Sequence, residues 1–355
     1  RRVSVLNADV SVGSVGKGVF FEAKNANFRA GRRHDGTTEF TVDGKIRYDD
    51  YQSVISSRFV MDKNNPAIEG TVEFKGVEIS TLAKLFVRWP DYFDITMPVS
   101  GTCFVSLDQE GSLQRLRFNV DGGQGKFTSS LFPAPFEIGW LHSEGQISNN
   151  GGDIQIDKLS GEVDGMQMEG SGVVSLKEND AAIKINASLK NIPGDRVPVL
   201  WPPGLSPLSR EWVVTNIAAE SIPEARISTN IAFGDLQRDV LPKESIDASI
   251  AIKNAKIKYL PEHPETTKVD AVVHIDGVAL DAAIESAHFL SDTKISKGRV
   301  LIEDLNAENP YIKVGFDAHA PAGDVVKFLE LPRLGHAQRL NLRSEQAQGS
   351  AKGHV

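Results

Sequence analysis

Cysteine is all but missing from this chain: Cys103 is the only one in 355 residues. A disulfide scaffold and a cysteine-ligated zinc site are therefore excluded within it. Cys103 sits in VSGTCFVSLD, in phase with Val99, Val105 and Leu107, and reads as a small buried apolar residue. Long hydrophobic runs are missing too, and no stretch approaches the roughly 20 apolar residues needed to cross a bilayer. Five Tyr and four Trp are too few for the two aromatic girdles of an outer-membrane barrel. Positive charge is not clustered, and the net charge is −8. That argues against a nucleic-acid partner, because neutralising phosphates takes grouped Lys and Arg.

The sharp motifs of enzymes are absent as well. GGQGKFTSS (122–130) resembles a phosphate loop only superficially, since the first required glycine falls at Val120; it reads as a turn. His142, His263, His274, His288 and His319 show no ligand spacing, so no metal site is expected. Asp and Glu fall mostly on polar strand faces or in turns, and no serine stands in a nucleophile elbow. The expectation is a protein with no catalytic residue, no cofactor and no metal.

What is present is alternation. TTEFTVDGKIRY puts Phe40, Val42, Ile46 and Tyr48 on one face. AAIKINASLKN sets Ile183, Ile185 and Leu189 against Lys184, Asn186 and Lys190. The pattern continues with Ile227 and Ile231, with Val273 and Ile275, and with Ile312, Val314 and Phe316. A period of two means strands with one apolar and one wet face. Asp121-Gly122, Asn150-Gly151 and Asp276-Gly277 are antiparallel turn signals. In SIDASIAIKNAKIKYL the apolar set Ile246, Ala248, Ile250, Ile252 changes parity near Asn254. A β-bulge there keeps the apolar side chains on one face. At 40% apolar and 24% charged, the chain is normal for a folded protein. The fold class expected is mainly β: a long, curled antiparallel sheet with a few short helical insertions.

Three strands each lead into a brief apolar segment ending in proline, at Pro90, Pro202 and Pro332. The spacing of about 110 to 130 residues reads as a repeat of several strands plus one short helix. The units expected are 1–98, with a helix near 80–88; 99–220, with a Pro/Trp-rich helical insertion at 192–217; and 221–335, with a helix near 321–331. Residues 336–355 open the next. The first residues already alternate and the last ones begin a strand, so the chain reads as a piece of a longer protein. In the middle insertion, LWPPGLSPLSREWVVTNI, Ser206 is a candidate cap and Pro207 a candidate first helical residue. Leu208 and Trp212 then share one side of a short helix, which either lies over an apolar face or plugs a sandwich core.

That same stretch, with Pro202, Arg210 and Trp212, resembles the Trp-Pro and Arg-x-Trp-(x)3-Asn signature of the AsmA-like family of bacterial envelope proteins, closest to its large, bridge-like lipid-transport members. The resemblance continues through SIDASIAIKNAKIKYLPEHPETTKVDAVVHIDG, ISKGRVLIEDL and APAGDVVKFLELPRL. It covers residues 150–355 well and the first 150 in style. The chain departs from the pattern at Ala218-Ala219-Glu220, where the family often has a Gly after the Asn. The resemblance implies a curled sheet with a continuous hydrophobic groove, a periplasmic location and an inner-membrane anchor outside this segment. Phospholipid acyl chains would slide along the groove toward the outer membrane, with envelope proteins at either end. Its lining would be Ile183, Ile185, Leu189, Ile227, Ile231, Ile250, Ile252, Val273, Ile275, Ile312, Val314 and Phe316, with Arg210 and Trp212 as structural anchors of the insertion. The alternative is an envelope scaffold in which the apolar faces close into a sandwich. A carbohydrate-active β-solenoid is disfavoured, because no rung of 20 to 30 residues recurs.

Overall fold

The computed structural model describes residues 2–14, 19–48, 51–62, 67–80, 93–110, 112–148, 151–176, 181–204, 207–232, 235, 242, 245–259, 263–305, 307, 310–331 and 342–354. Among the described residues strand accounts for 69% and helix for 12%, and 21 strands are joined by antiparallel hydrogen-bonded pairing. The chain divides into two compact units, Arg1–Asn186 and Ala187–Val355.

The first unit runs β1 (Arg2–Ser14), β2 (Val19–Arg32), β3 (Thr38–Tyr48), β4 (Tyr51–Met61), β5 (Ile68–Glu78), β6 (Phe93–Thr96), β7 (Pro98–Leu107), β8 (Leu113–Gly122), β9 (Gly125–Ser129), β10 (Phe136–Ser148), β11 (Asp153–Val163), β12 (Met166–Leu176) and the start of β13 (Ala181–Pro193). Most neighbours in sequence are neighbours in the sheet, as a meander requires. Asp164-Gly165 joins β11 to β12 with φ of 49° and 77°, the left-handed pair that a two-residue hairpin takes. Asp121-Gly122 does not reverse the chain. It marks the step from β8 to β9, and both strands pair with β10. Strands β6 and β7 break at the same level, around the buried Met97. Asn150 and the helix expected near 80–88 lie outside the described residues, apart from the helical Ile79 and Ser80.

Direct cross-strand partners share a face, and Phe59, Gly70, Val105, Leu116, Ile147 and Ile154 form one row across six strands. Val105, Leu116 and Ile147 are its buried centre. A side chain at Gly70 would strike the Phe59 ring, so glycine makes room for the aromatic across the ladder. Cys103 packs against the same core. Burial pushes its thiol up to about 11, which leaves it an inert apolar residue.

On the opposite face, His142 on β10 bridges two carboxylates: Nδ1 lies 2.7 Å from Asp121 Oδ1 and Nε2 lies 2.9 Å from Glu144 Oε1. Both ring nitrogens donate only in the imidazolium. The hydrogen bond to Asp121, then that to Glu144, raises the His142 pKa above 6.5. A raised folded pKa means the added stability is complete below the unfolded value and is lost as pH rises through the folded one. Asp121 is mostly exposed, so water screens the pair and the contribution is about 1 kcal/mol at most. Urea unfolding at pH 5.5 and 8.5 is expected to show that loss in the parent protein, and a flatter dependence in His142→Gln.

The second unit contains the rest of β13, a 3₁₀ turn (Gly194–Arg196), α1 (Val197–Leu200), α2 (Pro207–Asn216), β14 (Ile217–Ala218), β15 (Ser221–Ala232), β16 (Ile246–Ile257), β17 (Thr266–Asp276), β18 (Ala279–Phe289), β19 (Thr293–Ile302), β20 (Ile312–Pro321), α3 (Ala322–Glu330) and β21 (Ser350–His354). The β17–β18 hairpin falls at the turn signalled by Asp276-Gly277, with Gly277 (φ 58°) and Val278 as its loop and Asp276 paired with Ala279. Helix α3 falls inside the segment expected near 321–331 and docks on the sheet. The buried Asp324 accepts the Asp292 N–H (3.0 Å) and the Thr293 hydroxyl (3.3 Å), and Phe328 meets Phe289 edge-on.

Candidate functional site

The second unit carries two unbroken apolar rows across six strands. Ile227, Ala248, Ile275, Leu280, Ile302 and Ile312 pair in sequence from β15 to β20. The next row is Ala225, Ile250, Val273, Ala282, Val300 and Val314. A third, shorter one is Ile252, Ala271, Ile284 and Gly298. Most of the residues expected to line a groove on β15 to β20 thus stand side by side. Ile231 continues the β15 set beyond the last paired residue, and Phe316 sits opposite the register shift between Ser296 and Arg299. On β13, Ile185 packs over Gly172 of β12, with Ile183 and Leu189 two and four residues to either side.

Sequence reasoning missed the β18 and β19 members. In ALDAAIESAHF, Ala283 blurs the alternation; in RVLI, three apolar residues run together. Pairing resolves both. Leu301 joins Asp281 and Lys313 on the wet face, where Asp281 and Arg299 form a two-pronged ion pair at 3.0 and 2.7 Å.

Burial along this face is inverted relative to a closed core. Its buried members include the short Ala225, Ala248 and Ala271, whereas Ile227, Ile250, Val273, Ile275 and Ile302 are half-buried and Val314 is 51% exposed. Side chains in a single uncovered layer behave this way: short ones vanish between tall neighbours, and tall ones keep their tips outside. The face is sealed where Ala255, Val269, Ala271 and Ala287 are buried and Ile217 packs on them, and again where α3 docks on Phe289 and Thr293.

A line of bulges keeps the face apolar along its length. The strand partners shift between Ile252 and Ala255 on β16, and between Ser296 and Arg299 on β19. Asn191, Asn254, Lys268 and Lys297 take left-handed φ of 59°, 50°, 49° and 50° on their strands. Each bulge frees a backbone N–H that needs a partner. The Asn254 N–H donates to Asp270 Oδ1 (2.9 Å), and Lys253 bridges Asp270 to Glu285 (3.0 and 3.1 Å). These bonds, that from Asn254 first, hold the Asp270 carboxyl below the usual carboxylate range. The bulge expected near Asn254 is therefore real and is one member of a series.

Helix α2 begins at Pro207, as its sequence predicts; Ser206 lies outside the described residues. None of its residues is buried, and Leu208 is 81% exposed, so it does not plug a core. Arg210 anchors it: Nε donates to the Trp201 carbonyl (3.0 Å) and an Nη to the Pro198 carbonyl (2.7 Å), tying α2 to the end of α1. Pro202 directly follows that end. Asn216 Nδ2 donates to the carbonyl of Trp212 (2.9 Å), closing the last turn. The Arg-x-Trp-(x)3-Asn pattern is thus the wiring of a two-helix insertion. The sequence model described as YhdP protein matches residues 83–355. The chain belongs to that family. The YhdP family is of the AsmA-like, bridge-like kind associated with lipid transport in the bacterial envelope, in keeping with the resemblance carried by Pro202, Arg210 and Trp212. No curated protein matches the chain. Where the family often has a Gly, Ala218 extends β14, which pairs Ile217 with Ile257 and Ala218 with Lys256. The close approach is made instead by Gly194, at which a Cβ would collide with the Ala219 carbonyl.

The Arg210 wiring carries a prediction. Arg210→Ala removes two charge-assisted hydrogen bonds worth about 1.5–3 kcal/mol each at most. Amide exchange in α1 and α2 is expected to speed up at least tenfold, with β16–β19 unchanged. Arg210→Lys should not restore it, because an ammonium lacks the planar fork that reaches both carbonyls.

Among the described residues, no three His, Cys, Asp or Glu side chains are placed to hold a metal, and no helix is long and apolar enough to cross a membrane.

Proposed function

We propose that the apolar sheet face is the wall of a phospholipid path in the bacterial periplasm, along which acyl chains lie and slide. The observation that carries this is the set of unbroken apolar rows whose tall side chains remain half-exposed. A strip of Ile, Leu and Val binds methylenes at about 0.8 kcal/mol per buried CH₂, with no polar contact needed. A strip without periodic polar traps holds a chain equally well at each register, so binding does not oppose movement. In this reading the protein is not an enzyme. An anchor in the inner membrane lies outside the segment, and envelope proteins cap the path at its ends.

Native mass spectrometry tests this, on protein isolated from a bacterial envelope in mild detergent, with lipid extraction from the same sample. Co-purified phospholipid is the expected result. A folded, lipid-free protein that also takes up no phospholipid from vesicles overturns the reading in favour of a closed scaffold.

A further inference from the structure

An open surface pocket of about 660 Å³ lies in the first unit, where β6/β7 and β8/β9 break. Glu78 lines it and is only 6% exposed. Its Oε1 accepts the Met97 N–H (2.6 Å), replacing the ladder bond lost at the break. Its Oε2 is buried and has no hydrogen-bond partner. A carboxylate oxygen left this way costs more than a lost hydrogen bond. Glu137, Glu162 and Asp164 line the same pocket, against a single cation, Lys126.

We propose that this pocket binds a small primary ammonium group. Acceptors predominate, so the ligand must bring donors and positive charge. A metal ion fits poorly, because among the described residues no three carboxylates are placed to coordinate one. The volume is also that of a small-molecule site rather than of an ion. An ammonium needs no fixed coordination shell and offers three N–H donors, one for Glu78 Oε2 and others for the pocket wall. Lys126 stands ready for an anion carried next to the amine. Ile138 belongs both to the pocket wall and to the apolar cluster of Phe74, Val77, Met97 and Val99. An aminoethyl headgroup held here would have apolar surface directly beside it. The inference deepens the lipid-path reading, which it rests on only for the source of the amine.

Calorimetric titration of the whole chain with ethanolamine, phosphoethanolamine and choline tests it without any lipid. Ethanolamine and phosphoethanolamine are expected to bind, and choline, which has charge but no N–H, at least tenfold more weakly. Glu78→Gln keeps the Met97 acceptor and removes the charge, so a tenfold or greater loss is expected with the thermal midpoint little changed. Glu162→Gln leaves the Met97 contact untouched and should weaken binding several-fold, which decides the matter if Glu78→Gln does not fold. Vesicles of phosphatidylethanolamine and phosphatidylcholine with matched chains separate the sources. Tighter binding to the former assigns the site to a lipid headgroup, and equal binding assigns it to a free amine. Absence of ethanolamine binding, equal binding of choline, or indifference to both substitutions overturns the proposal. Because the readout is a soluble amine, failure here leaves the acyl path untouched, and a lipid-free protein leaves this result untouched.

Discussion

Val314→Asp is expected to strip the protein of phospholipid while leaving it folded. Val314 stands in the second apolar row and is 51% exposed. A carboxylate placed there can keep its hydration, so the cost to folding is about 1 kcal/mol or less. An acyl chain crossing the same point meets a charge it cannot solvate, and pushing the charge out of water costs several kcal/mol. Lipid per protein should fall at least tenfold. Ile185→Asp, at a site 37% exposed, should act the same way. Val269→Asp is the control: Val269 is 1% exposed, among Ala255, Ala271 and Ala287, and a carboxylate buried there should unfold the unit. Lipid extraction and urea midpoints on the three variants decide the matter. If Val314→Asp and Ile185→Asp unfold as Val269→Asp does, the face is a closed core and the lipid path is wrong.

Leu116→Ala should cost about 3 kcal/mol, within the range for a buried leucine truncated to alanine. Leu116 is 2% exposed and stands between Val105 and Ile147 in the first unit's main row, with Phe59, Leu113 and Phe118 around it. The ladder holds its neighbours at fixed spacing along the sheet, so they cannot close over the missing methyls. Urea denaturation should show the whole loss as a lower midpoint with unchanged slope. Leu208→Ala, at an exposed site on α2, should fall within about 0.5 kcal/mol of the parent. A Leu116→Ala loss no larger than that would mean that this row is not the core of the unit.

Much of the architecture was legible because its signals are local. Period-two alternation identified β15, β16, β17 and β20 of the second unit, Pro207 the start of α2, and the parity change at Asn254 a bulge. The helix signal in APAGDVVKFLELPRL led to α3 at Ala322–Glu330. The candidate face was partly legible: its β15, β16, β17 and β20 members alternate cleanly, whereas β18 and β19 were hidden by Ala283 and by the run Val300-Leu301-Ile302. Glu78 was not singled out, because the register shift between Phe74 and Val77 that sets its side is not visible in the local pattern. Only the break at Met97 turns its carboxylate into a buried cap.

By itself the sequence determined that each strand has an apolar side and a wet side, since successive side chains point to opposite faces whatever the partner. It also marked the insertions that hold α2 and α3, and its Arg-x-Trp-(x)3-Asn pattern marked the family. Tertiary structure alone decided that the apolar sides fall in register across six strands, that the bulges recur at one level, and that tall side chains stay uncovered while alanines between them are buried. The reason is that register is a long-range choice. One residue of slip would turn a strand's apolar set to water, and whether anything covers the resulting face depends on elements far away in the chain.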